Sequence, residues 1–386
     1  MRSPPRTGAP GPPEAKPRCG HQPRHGTGPV SLLDHAFVRD CEDAEVSSCP
    51  GASVGYLTHT SRHSALAKRR GVRFAETVQN PGQPGTDNPA FKQKANSGCA
   101  PSFDLQSHRG GRGHWSESSL HAFGRSLELG VTTLELDTHL SADNVVVVWH
   151  DHHIEPIAFQ DTTPAVPHDP AFPYVGARIR ELTLAQLKTL NCGFQQAPGF
   201  AQQQVVAGNR MATLREVFDL VRGYNAQSIR WNIETKVEDP GQSAQRDALV
   251  DAVIQEIHTH GWPHRTQLQS FDWAALDRAA RVVPELELVA LAPAQNPAGA
   301  GLEPGEVAER GYAVWSPEHV LLTARNIRAA HGLGLKVVPW TVNQMTEMNH
   351  LLDWGVDGLI TDYPALLRQV LERRGMALPV SYRPSS

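Results

Sequence analysis

From Phe103 onward the chain alternates short apolar runs with amphipathic stretches, and this alternation restricts it, more than any other feature, to a parallel α/β architecture. Candidate strands fall at residues 103–107, 132–138, 145–149, 229–236, 266–270, 286–291, 313–316, 336–341 and 358–361. Between them run helical patterns. After Ser116, a good N-cap, Leu120, Phe123 and Leu127 recur at i, i+3 and i+7, and Gly130 supplies the stop. Leu249, Val253 and Ile257 before Gly261 repeat the device, as do Met345, Met348 and Leu352 before Gly355. Such stripes are core positions and carry no chemistry.

The candidate strands are one more than a (β/α)₈ barrel requires. The stretch Ser141-Ala142-Asp143-Asn144 is too short for a helical crossover, so the second and third strands form an antiparallel hairpin. The expected fold is a TIM-type (β/α)₈ barrel with a β-hairpin excursion after the second strand. Residues 155–213 form a Pro- and Gln-containing insertion with helical stretches near 184–190 and 214–221, and an insertion of that length is expected to shape a binding site.

Residues 1–98 read differently. They are rich in Pro, Gly, Ser, His and Arg and lack periodicity, so they are expected to form a disordered tail that leaves 99–386 as the barrel domain. Lys68-Arg69-Arg70 reads as a solvated charge cluster in that tail. No run of apolar residues is long enough for a transmembrane segment or a secretory signal. As written the chain is therefore expected in the cytoplasm, and in the periplasm or outside the cell if the true start lies downstream, near Cys99. A net charge of −4 argues against a nucleic-acid partner. Cys19, Cys41, Cys49, Cys99 and Cys192 show no metal-type spacing, and only Cys192 lies well inside the folded part. No feature specifies an oligomeric state.

The chemistry begins on the second strand. Alternation puts Leu134 and Leu136 on one face and Glu135 and Asp137 on the other, about 7 Å apart. Two carboxylates on one face of a mid-sheet strand call for a metal or a cationic partner. If the hairpin is symmetric about residues 142 and 143, His150 returns opposite Glu135. In 229–236 the residues Asn232, Glu234 and Lys236 share a face, which aims a further acid and a base the same way. The segment His108-Arg109-Gly110-Gly111-Arg112-Gly113 follows the first strand, where glycines admit a ligand close to backbone and Arg grips phosphate bidentately.

Taken together these segments resemble the glycerophosphodiester phosphodiesterase family over residues 103–370. The matching elements are HRGGRG at 108–113, Glu117, LELD at 134–137, WHD at 149–151, NIETK at 232–236, QSF at 269–271, WTVN at 340–343 and GLITDYP at 358–364. The resemblance implies metal-dependent hydrolysis of a small-molecule glycerophosphodiester to glycerol 3-phosphate and an alcohol. It places metal ligands at Glu135, Asp137 and Glu234, with His108 and His150 as acid and base. Arg109 and Lys236 would hold phosphate, while Phe271 and Trp340 would border the glycerol. All-oxygen ligation suits Ca²⁺ or Mg²⁺. The family's usual Asp-Gly turn is Asp143-Asn144 here, and Thr138 stands where an outward apolar residue is common. His152 and His153 are read as loop residues. Two other readings stand beside this one. A lipid-directed barrel phosphodiesterase of the phospholipase C or D type would show an apolar rim, and a non-catalytic polyol-phosphate-binding barrel would have lost one of these residues.

Overall fold

A computed structural model describes residues 103–295 and 303–384. The predicted tail, residues 1–98, lies outside the described residues. β1 (Asp104–Ser107) leads through a 3₁₀ turn at His108–Gly110 into α1 (Leu120–Leu129), and β2 (Thr133–Leu140) turns back into β3 (Val146–Val148). The insertion carries β4 (Phe159–Gln160), α2 (Leu184–Leu187) and β5 (Asn191–Cys192), and ends at β6 (Ala212–Thr213) before α3 (Leu214–Gly223). Strand and helix then alternate as β7 (Arg230–Thr235), α4 (Ser243–His260), β8 (Thr266–Ser270), α5 (Trp273–Val282), β9 (Glu287–Ala292) and α6 (Pro304–Glu309). The chain closes with β10 (Val314–Pro317), α7 (Ala324–Gly332), β11 (Lys336–Val337), α8 (Met345–Trp354), β12 (Gly358–Thr361) and α9 (Pro364–Arg373).

The parallel strands run in the order β11-β10-β9-β8-β7-β2-β1-β12. The ends meet: Asp357 N–H donates to Val337 O at 2.9 Å, Ile360 N–H to Pro339 O at 3.0 Å, and Val342 N–H to Ile360 O at 2.9 Å. This closes an eight-stranded TIM-type barrel. β11 is shorter than the expected 336–341 because Pro339 has no N–H to continue the ladder. The outward residues Leu134, Leu136, Trp231, Ile233 and Leu268 pack under the helices in one core with Phe123, Phe218 and Val253. Phe218 meets Trp231 edge-on at 4.6 Å, an arrangement worth about 1 kcal/mol beyond its buried area.

Inside the barrel the lining divides. Val289, Val314, Val338 and Ile360 form an apolar patch over β9 to β12. Over β1, β2, β7 and β8 stand instead the buried side chains of Gln106, Glu135, Asn232, Gln267 and Gln269. The Gly-capped helices end as the sequence requires, with Gly261 at φ +74° and Gly355 at φ +87°.

Four details correct the sequence reading. Ser116 does not cap α1: Ser118 takes φ +55°, which breaks any helix begun at 116. Ser119 is the cap and accepts from Ala122 N–H at 3.0 Å, while Ser116 Oγ accepts from Val206 N–H at 3.2 Å and ties down the insertion. Leu120, expected in the core, is exposed at the helix start. The β2–β3 pairing joins Thr138 to Val148, His139 to Val147 and Leu140 to Val146, one residue from the expected register. The turn is centred on Asp143 because Asn144 takes φ +60°, a conformation Asn tolerates in place of Gly, and Ser141 Oγ accepts from Val145 N–H at 2.9 Å.

The fourth concerns the insertion, which packs with the end of the hairpin: its Phe159, Tyr174 and Leu190 join Val147, Trp149 and Ile154 in a small second core. Thr138, for its part, is satisfied, since its hydroxyl donates to Glu234 O at 2.6 Å.

Candidate active site

All nine residues singled out in the sequence line one cavity of about 100 Å³ at the C-terminal ends of the strands. None of its walls comes from the insertion, which was expected to shape it; Ile179 and Arg180 of the insertion line a neighbouring cavity instead.

The acids come from adjacent strands. In the β2–β7 register Glu135 pairs with Asn232 and Asp137 with Glu234, which puts inward carboxylates at neighbouring levels. One oxygen from each of Glu135, Asp137 and Glu234 lies within 4.8 Å of the others. All three are buried. Burial and the charge of Asp137 push Glu135 well above the usual carboxylate range. Glu234 rises to about 7, with burial and Asp137 outweighing the pull of Lys236. Burial would raise Asp137 too, but Lys236 and Arg109 hold it below its ordinary value. Lys236 Nζ lies 3.2 Å from Asp137 and 2.8 Å from Glu234, and Arg109 Nε lies 3.2 Å from Asp137 Oδ2. With all three acids ionised, three negative charges would face two positive ones, and it is this mutual repulsion, with burial, that raises Glu135 and Glu234. Asp137 Oδ2 is buried without a hydrogen bond. That oxygen, together with the all-carboxylate donor set, fits a hard divalent cation.

Glu135 is held on both oxygens. Arg109 N–H donates to Oε2 at 2.9 Å and Gln269 Nε2 to Oε1 at 2.7 Å. The donating amide is possible because Arg109 takes φ +50° and Gly110 follows at φ +80°, turning the backbone inward. Behind Gln269 a ladder of amides descends through the barrel. Asn232 Nδ2 donates to Gln269 Oε1 at 3.0 Å and to Gln106 Oε1 at 2.8 Å, and Gln106 Nε2 donates to Asp104 at 2.9 Å. In its ionised form Asp104 can only accept, and it then sets the direction of Gln106 below as an ionised Glu135 sets that of Gln269 above. The Arg109 side chain is braced by Glu117, which bridges it to Arg112 with both contacts at 2.9 Å.

The two histidines share one device. His108 Nδ1 lies 2.6 Å from Asp362 Oδ1, and His150 Nδ1 lies 2.7 Å from Asp151 Oδ1. A carboxylate accepts only, so each Nδ1 carries the hydrogen and each Nε2 is left for chemistry. Asp362 is itself fixed, accepting from Asn343 Nδ2 at 2.7 Å and donating its N–H to Asn343 Oδ1 at 3.0 Å. Burial and Arg109 lower His108, with Asp362 acting against them. Behind His150, His139 lies 3.1 Å from the His150 carbonyl, and burial pushes its imidazole down to about 3. Phe271 and Trp340 meet edge-on at 5.4 Å across the mouth.

The sequence reading quoted Asp362, Asn343, Gln269 and Asp151 within motifs and gave them no role. A signal existed for Asp362, since an acid directly after a barrel strand stands at the catalytic face. The amide ladder left none, because its members are far apart in sequence and look like ordinary polar strand residues.

A closed parallel barrel that gathers acids, cations and two aspartate-anchored histidines at the C-terminal ends of its strands has the layout of a hydrolase of anionic substrates, with an acidic triad that could bind a metal. The chain matches the glycerophosphoryl diester phosphodiesterase family model over residues 108–366. The glycerophosphodiester phosphodiesterase of Bacillus subtilis is 30% identical over 272 residues, covering 68% of this chain and 84% of the relative. That of Caldanaerobacter subterraneus is 28% identical, covering 69% and 97%. A crystal structure from Silicibacter pomeroyi assigned to the same phosphodiesterases aligns with a TM-score of 0.64 at 30% identity, covering 72% of this chain and 96% of that one. The chain belongs to the glycerophosphoryl diester phosphodiesterase family. It is a phosphoric diester hydrolase that acts on glycerophosphodiesters. Among the described residues no helix is long and apolar enough to cross a membrane.

Proposed function

We propose that the nine residues lining the cavity carry the hydrolysis of glycerophosphodiesters to glycerol 3-phosphate and an alcohol, with His108 and His150 as the acid–base pair. The observation that carries this reading is the shared anchoring of the two imidazoles: each is held at Nδ1 by an aspartate within 2.7 Å, which leaves Nε2 as the nitrogen able to exchange a proton, with His108 Nε2 4.0 Å from Glu135. Glu135, Asp137 and Glu234 would hold Ca²⁺ or Mg²⁺. A divalent cation there supplies positive charge to the phosphoryl oxygens. Arg109 and Lys236 grip the same oxygens from the protein side. With the cation the three acids and two bases sum to +1, which suits a phosphodiester monoanion. Phe271 and Trp340 offer apolar faces to the carbon skeleton of the glycerol, and water enters from the open mouth.

The test is an assay of the purified chain, stripped of metal and then resupplied with Ca²⁺ or Mg²⁺, against glycerophosphocholine, glycerophosphoethanolamine and glycerophosphoglycerol. Release of glycerol 3-phosphate that depends on the added metal is expected. Equal release in the presence of excess chelator would rule the metal out.

A further inference from the structure

We infer that the larger cavity beside Lys236, about 270 Å³, receives the leaving alcohol of the diester and favours a hydroxyl-rich one. The inference rests on the function proposed above. A phosphodiester has two arms, and the catalytic cavity has room for roughly seven waters. Phosphate and one glycerol fill it, so the second arm lies elsewhere.

Ring order gives the direction. Phe271 and Trp340 follow β8 and β11 and meet above β9 and β10. Lys236 follows β7, the strand between β8 and β2, and its Nζ lies 5.9 Å from the centre of the Phe271 ring. A diester with its glycerol under the aromatic pair and its phosphate at Lys236 therefore points its remaining arm over β2 and β7. The larger cavity lies there, between the end of the β2–β3 hairpin and the first turns of α4, and Lys236 lines both cavities. Its wall includes His139, the residue that meets the His150 carbonyl at 3.1 Å. His150 itself lines the catalytic cavity, just after β3, which pairs with β2, so an arm leaving over β2 puts the departing oxygen on the His150 side.

The uncommitted groups in this cavity define the alcohol. Glu238 is paired with Arg178 at 3.3 Å, Asp239 accepts from Gly241 N–H and Gln242 Nε2 at 2.9 Å, and Arg246 is paired with Asp272 at 3.3 Å. Arg180 and the Asn144 amide, both exposed, have no partner among the described residues, the His152 ring meets only His139, edge-on at 4.9 Å, and Ile179 and Leu249 form a buried apolar floor. A guanidinium and an amide donate hydrogen bonds to hydroxyl oxygens. A trimethylammonium group accepts none and is repelled by the free guanidinium.

Two variants of the full chain test this: Ala244→Trp, which fills the cavity from an exposed position, and Arg180→Ala, which removes the free donor. For each, kcat/KM is measured on glycerophosphoglycerol and on glycerophosphomethanol, whose methyl group does not reach the cavity. The ratio of the two constants is expected to fall about tenfold in either variant, the scale of a lost pocket contact. Because a ratio is read, a general loss of activity does not mimic the result. A ratio that stays within threefold of the parent's in both variants overturns the subsite. If the parent hydrolyses neither diester, the proposed function itself fails, which is a different outcome.

Discussion

His108 and Asp362 stand 254 residues apart in sequence and meet at 2.6 Å, Nδ1 to Oδ1, where the first and last barrel strands lie side by side. The carboxylate fixes which nitrogen of the ring faces the cavity. Asp362→Asn keeps the shape and lets an amide donate to Nδ1, which reverses the tautomer. Turnover should fall by roughly 10² to 10⁴ fold, the range for a lost acid or base, with little change in metal affinity. Asp362 is held below its usual range: burial alone would raise it, but His108, Arg112 and Asn343 outweigh burial. Its stabilising contribution is therefore complete above the unfolded carboxylate value near pH 4 and is lost as pH falls through the lower folded value. The difference in Tm between parent and variant should shrink below about pH 4. A difference independent of pH would mean that the ion pair contributes nothing.

The proposed metal ligands make a second prediction. Glu135→Gln, Asp137→Asn and Glu234→Gln preserve shape and remove charge, so each should weaken Ca²⁺ or Mg²⁺ binding in calorimetry and sharply reduce turnover. Wild-type affinity in all three would show that the cation, if needed, binds elsewhere.

The amide ladder makes a third. Gln269 orients Glu135, and Asn232 and Gln106 orient Gln269, so Gln269→Leu should lower metal affinity by about 10 to 100 fold although it contacts no metal. Asn232→Leu should do the same at one remove, with a smaller effect. Unchanged affinity with a lowered Tm would reduce the ladder to a packing device.

Removal of residues 1–98 should leave folding and activity intact, since every residue of the candidate site lies beyond Ser107. The check is a chain beginning near Pro101, compared with the full chain by circular dichroism and by assay. Failure of the short chain to fold would make the tail part of the domain.

The contrast between what was legible and what was not follows physical lines. The side-chain period of two in β2 and β7 gave away Glu135, Asp137 and Glu234, because acids on a mid-sheet face conflict with burial. The glycines after α4 and α8 gave away the helix ends. The N-cap of α1 was misplaced because Ser116, Ser118 and Ser119 are chemically alike, and only the left-handed Ser118 decides among them. The hairpin register was missed by one because Asn144 does the work of a glycine. Asp362, the amide ladder and the second cavity arise from closure of the ring, which local pattern does not encode.

The last prediction concerns the route. Beside the two histidines the cavity presents, among the described residues, no serine or cysteine and one threonine, Thr341, which belongs to neither anchored pair. The substrate brings its own nucleophile: the glycerol 2-hydroxyl sits where attack on phosphorus closes a five-membered ring. A tethered nucleophile gains a large effective molarity over water. On this predicted route the 2-oxygen first bonds to phosphorus, one histidine takes the hydroxyl proton, the bond to the leaving alcohol breaks, and the other histidine protonates the departing oxygen. Water then attacks the cyclic 1,2-phosphate, the bond to the 2-oxygen breaks, and the histidines exchange roles to give glycerol 3-phosphate. Arg109 and Lys236 would stabilise the charge on phosphorus in both steps. Because the proposed subsite puts the departing oxygen beside His150, His150→Ala should recover most of its rate on a diester with a nitrophenol leaving group, while His108→Ala should not. A substrate lacking the 2-hydroxyl separates the routes, and it should be hydrolysed at least 10² fold more slowly than its parent if the ring forms. Hydrolysis at the parent's rate would establish direct attack by water.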